Sequence, residues 1–127
     1  MLQILESASS FEKVYACGEI GDLGERGAFA IETLVKMLEE HGPPCSAAAK
    51  CLGELRVTDP AIIRRLAERM SQNQGSDISF KSADALGHIG PPAASALPEL
   101  EAIAKHSDSS LLRECAQSAI EKIRDDK

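Results

Sequence analysis

Tryptophan is absent from this chain of 127 residues, and its aromatics are limited to three Phe and one Tyr. A core must therefore be built from Leu, Ile, Ala and Val, which suits close helix packing better than a sandwich or a barrel, so an all-α fold is expected. Nowhere does an apolar run approach the roughly 18 residues of a membrane span, and no membrane partner is expected. The stretch MLQILESASSFEK has no basic start, long apolar run or cleavage site, and the cytoplasm is the expected compartment. Basic side chains are outnumbered fourteen to twenty, and the resulting net charge of -6 repels a phosphate backbone, which excludes nucleic acid as the main partner.

Cysteine is sparse as well. Cys17, Cys45, Cys51 and Cys115 show no C-x-x-C spacing, and a single domain over residues 1–127 buries enough surface to need no disulfide framework. Buried free thiols are expected. Cys45, beside Pro44 near a helix start, is the one candidate for reactivity, because a helix N-terminus lowers a thiol pKa.

What the chain does have is breakers in a period. Cys17-Gly18-Glu19-Ile20, Leu52-Gly53-Glu54-Leu55 and Leu86-Gly87-His88-Ile89 share one apolar-Gly-polar-aliphatic pattern, with glycines 35 and then 34 positions apart. Ile120-Glu121-Lys122-Ile123 keeps the aliphatics and loses the glycine, while Ala16, Cys51, Ala85 and Ala119 put a small residue two places before each glycine phase. Apolar residues three and four apart make each segment an amphipathic helix. Glycine inside a helix costs about 0.5 to 1 kcal/mol relative to alanine, so its recurrence at one phase implies the close approach of a neighbouring backbone.

Gly21 and Gly90 follow the aliphatic and are expected to end their helices at a positive φ; Thr58-Asp59-Pro60 supplies an N-cap and a first-position proline instead. A partner helix follows each glycine, in the series Ile31, Leu34, Val35, Leu38, then Ile62, Ile63, Leu66, Met70, then Leu97, Leu100, Ile103, Ala104. First helices are expected at about 10–20, 45–56, 78–89 and 109–125, and second helices at about 28–40, 60–72 and 95–106. Ser9 with Glu12 resembles a capping box, Asp77 and Asp108 are candidate caps, Pro98 must fall in a first turn, and SQNQGSD at 71–77 is expected to be a polar loop.

These residues, LGHIGPPAASALPEL above all, resemble HEAT repeats, especially the short kind first noted in phycobilisome lyases. The resemblance covers essentially the whole chain, as repeats at about 9–42, 43–76 and 77–107 with a capping helix over 108–127. It implies a right-handed α-solenoid of about three and a half helical hairpins, about seven helices, whose second helices line a concave binding face. The period also equals that of tetratricopeptide repeats, but their aromatic and alanine signature is missing, as is the T-P-L-H turn of ankyrin. Stacked pairs need a polar outer face at the end of the array, for which Arg113, Glu114, Arg124, Asp125, Asp126 and Lys127 are suited.

No catalytic constellation accompanies the repeat. His41, His88 and His106 lie near helix ends and belong to no H-E-x-x-H or H-x-x-E-H motif, nor to the His-Glu pairs with which HEAT-like deoxyhypusine hydroxylases hold iron. Glu39, Glu40 and His41 are adjacent on a helix and do not converge. The fragment from Gly18 to Gly24 mimics a dinucleotide fingerprint without its preceding strand, and no metal or cofactor is expected. The expected role is a non-catalytic protein-binding module, monomeric or weakly self-associating, with contacts from Glu32, Lys36, Arg64, Arg65, Arg69, Glu101 and Lys105. Arg65 and Arg69 share a face suited to an anionic partner, while Glu68 is placed to pair with Arg64. The alternative is a bilin lyase or a subunit of one, which the resemblance alone suggests.

Overall fold

In the computed structural model, which describes residues 10–39, 43–72 and 77–124, helices follow one another with short corners between them. Helix α1 spans Ser10–Asp22, and a 3₁₀ segment, Gly24–Ala30, leads into α2, Ile31–Met37. Then come α3, Pro43–Glu54, and α4, Pro60–Gln72. Helix α5, Asp77–Ile89, is followed by the 3₁₀ segment Pro91–Ala96, α6, Leu97–His106, and α7, Ser110–Arg124. The seven helices of the described residues are arranged in sequence: α1, α3, α5 and α7 pack successively, and α2, α4 and α6 each pack on the first helix of the following hairpin. This is an all-α helical-repeat array. His41, Glu40, Ser9 of the capping box, residues 73–76 of the polar loop, and 125–127 of the polar end lie outside the described residues.

The repeat rows form the core. Ile20, Leu55, Ile89 and Ile123 are all buried, and so are Cys17, Leu52, Leu86 and Ile120 one turn earlier. From the second helices, Leu34, Leu66, Leu100 and Ile103 reach the same interior. Each buried aliphatic of this kind stabilises the fold by about 1.5 to 3 kcal/mol over its exposed state. Ser79 Oγ donates to the Met70 carbonyl at 2.8 Å in the interior, tying α5 to the end of α4.

The glycine phase acts as expected twice and departs once. A Cβ on Gly53 would lie 2.5 Å from the Cα of Ala85, and one on Gly87 would lie 3.2 Å from the Cα of Ala119. The recurring small residue is therefore the seat on which the preceding glycine rests. At Gly18 no described residue comes within 4 Å of that point, so α1 and α3 do not close there. Glu121, at the same phase on α7, is exposed.

Helix ends correct three expectations. Gly90 has φ 78° and stops α5, but Gly21 lies inside α1 without a positive φ, and Glu54 Oε1 occupies the space its Cβ would take. In the second hairpin Arg56 takes the left-handed turn, φ 55°, and Asp59 Oδ1 accepts from the Ala61 amide at 2.9 Å as the N-cap of α4. The cap of α7 is Ser109, whose Oγ accepts from Leu112 N at 3.1 Å, instead of Asp108, because the helix begins one residue later than that cap requires. Asp77 stands inside the first turn of α5, where its charge favours the helix dipole. Pro98 falls in the first turn of α6, as its missing amide hydrogen demands.

Candidate protein-binding site

The seven expected contact residues all stand on second helices: Glu32 and Lys36 on α2, Arg64, Arg65 and Arg69 on α4, Glu101 and Lys105 on α6. Three of them are engaged across junctions between hairpins. Arg65 donates from Nε and Nη2 to the Glu39 carboxylate, both at 2.5 Å, and from Nη1 to Glu68 at 2.9 Å. Its guanidinium holds the Glu39 carboxyl below the ordinary value of 4.5 by this hydrogen bonding, which outweighs desolvation. Arg64 turns the other way and meets Glu99 of α6 at 2.9 Å. Beyond it, Glu101 pairs with Arg124 of α7.

Glu68 thus pairs with Arg65, three residues before it, and not with Arg64 as the sequence suggests. Successive helical residues diverge by about 100°, and Glu99 draws Arg64 toward the following hairpin. That contact is electrostatic, not hydrogen-bonded: Arg64 Nε and Nη2 and Glu99 Oε1 are shielded from solvent without a hydrogen-bond partner. Arg69 turns toward the start of α3, with Nη2 3.8 Å from the buried Cys45 sulfur and Nε unpartnered. Glu32, Lys36 and Lys105 are exposed and make no ion pair among the described residues.

The sequence contains a clue to one of these ion pairs that residue type alone does not reveal. Arg64 and Glu99 are 35 positions apart, one repeat, so opposite charges at equal phase on neighbouring hairpins are brought together. The remaining pairs are not at that spacing and depend on how the helices cross.

On the first-helix side two adjoining grooves of about 350 and 400 Å³ share Gly18, Lys50 and Glu54 in their walls. Tyr15, two-thirds exposed, stands at the edge of one, its hydroxyl hydrogen-bonded to Glu19, which raises the phenol pKa. Their one signal in the sequence is the pair of glycines three apart at 18 and 21, which strip side chains from one face of α1.

The thiols of Cys17, Cys45 and Cys51 are buried, and that of Cys115 is half-buried. Burial, with the neighbouring Cys17 adding to it, pushes the Cys51 thiol up to about 12, and burial raises Cys115 as well. His88 and His106 lie at the ends of α5 and α6, His88 with Nδ1 3.0 Å from the Asp84 carbonyl oxygen. Among the described residues no three His, Cys, Asp or Glu are grouped to hold a metal ion, and no helix is long and apolar enough to cross a membrane.

Comparison with known proteins points the same way as the hairpins: the family model described as HEAT repeats matches residues 31–121. No curated protein matches the chain.

Proposed function

Because this chain belongs to the HEAT-repeat family, we propose that it is a non-catalytic module that binds a protein partner along its second helices. Stacked hairpins offer extended faces, and families of this kind generally use them as interaction scaffolds. The observation that carries the reading is the state of α2 and α6: Glu32, Lys36 and Lys105 are exposed and without ion pairs among the described residues. Arg64, Arg65 and Glu101 contribute by holding neighbouring hairpins in register, so their charge is spent inside the array before any partner arrives. Arg69 is half-buried, with its Nε shielded from solvent and its Nη2 toward the Cys45 sulfur, so it offers less to an outside carboxylate than the exposed lysines do.

The test is affinity capture from lysate with the wild-type chain and with K36E/K105E, both exposed changes that leave the core untouched. Loss of a bound protein from the variant, with melting unchanged, supports the assignment; an identical bound set excludes this face. Reversing Arg65 is a poor test, because glutamate there would face Glu39 and Glu68 and loosen the fold as well. The bilin-handling alternative has no observation in its favour: the match is to HEAT repeats at large, and the grooves are shallow openings on the opposite side.

A further inference from the structure

Gly18 is a helix-interior glycine without a packing duty. Its counterparts Gly53 and Gly87 sit on the backbones of Ala85 and Ala119, whereas no described residue approaches the place of its Cβ, and its φ is not positive. The stability cost of glycine in mid-helix therefore buys no contact within the described chain. What it does is floor the two adjoining grooves along α1 and α3, one of which reaches α5. Gly21, one turn on, extends the bare strip and lets the Glu54 carboxylate lie against α1.

The two grooves differ in what they would accept. One is lined by Cys17, Ser46 and Ala47 with Lys50 and Lys81 balanced by Glu54 and Asp77, which suits an extended backbone with small side chains. The other sets Glu19, Asp22 and Glu54 against Lys50 alone, under the exposed ring of Tyr15. Lys50 is itself drawn to Glu54, at 3.9 Å, which leaves Glu19 and Asp22 in excess at the mouth. A guanidinium is the group that satisfies both features at once: it stacks on an aromatic face and bonds carboxylates with a planar fork.

We propose that the Gly18 furrow is a second docking surface, on the first-helix side, for an extended segment of a protein partner that places an arginine between Tyr15 and the carboxylates of Glu19 and Asp22. It is separate from the second-helix contact and does not depend on it.

The experiment is a ¹H–¹⁵N NMR titration of the full chain with a pentapeptide holding one central arginine between serine and glycine, beside the same peptide with citrulline. Expected are saturable shifts at the amides of Gly18, Glu19, Gly21 and Glu54 with the arginine peptide, weakened by salt, and none with citrulline. G18L, which fills the furrow where no described atom stands in the way, should weaken binding at least tenfold. Y15A/D22N alters two exposed side chains that cannot carry the fold, and should do the same, while K36E/K105E should bind as wild type. Equal shifts with citrulline, undiminished binding by both furrow variants, shifts confined to α2, α4 and α6, or no shifts at all would each overturn the proposal.

Discussion

Gly53 on α3 and Ala85 on α5 meet backbone to backbone: a single added Cβ would stand 2.5 Å from the Cα of Ala85. No flexible side-chain end is available there to yield, so the helices themselves must part. Overpacking of this sort costs about 1 to 3 kcal/mol, and G53A should lose that much in urea denaturation. G18A has open space instead and should gain about 0.5 to 1 kcal/mol from helix propensity alone. Changes of the same sign at both positions would refute the different packing of the two crossings.

Acid should loosen the junction between the first two hairpins. The Glu39 carboxyl titrates below its ordinary 4.5 in the folded chain because Arg65 hydrogen-bonds its charged form. The unfolded chain therefore binds the proton first, and the stabilisation, complete above the ordinary value, is lost as pH falls through the folded one. E39Q should melt lower than wild type at neutral pH, with the two curves converging as pH falls below the ordinary carboxylate value. Parallel curves over that range would show that Arg65 does not act through this charge.

The ion pairs of the second helices hold register more than they add stability. Arg64 and Glu99 keep 42% and 31% of their side-chain surface in solvent, so a double-mutant cycle on R64A and E99A should give a coupling of about 0 to 1 kcal/mol that salt diminishes. The buried bond from Ser79 to the Met70 carbonyl should matter more, S79A costing about 0.5 to 1.5 kcal/mol because a buried donor is removed. A larger loss for R64A than for S79A in chemical denaturation would reverse that ranking.

Thiol accessibility follows burial. A soluble disulfide reagent at neutral pH should modify Cys115 first, since it alone of the four is partly exposed, and C115S should remove the fast phase. Cys51, buried and pushed up to about 12, should react only as the protein unfolds. Fast labelling of C115S would show an opening of the first hairpins.

Much of the architecture was written in spacing. The rows at Leu52, Leu86 and Ile120 and at Leu55, Ile89 and Ile123 are legible because a helix repeats every 3.6 residues and a hairpin every 34 or 35, and burial follows both periods. The tight crossing at Gly53 was legible too. The open one at Gly18 was not, because an identical residue at an identical phase has a different neighbour. Gly21 failed as a helix stop for a related reason: the backbone turned one residue later, and the missing side chain made room for Glu54 instead. Among the candidate contacts, residue type identified arginines suited to carboxylates, but the carboxylates that take Arg64 and Arg65 are the chain's own. The Arg65 to Glu39 separation of 26 residues matches no period, since it joins the end of one helix to the middle of another.

Two arginines side by side on α4 reach in opposite directions, one to the hairpin before and one to the hairpin after. The middle of the array is thus a shared fastener. A rotation of α4 that slackens one junction must drag on the other, so the curve of the superhelix is expected to open or tighten on both sides of its centre together. Any protein gripped along that face would feel the two outer hairpins move as a matched pair of jaws.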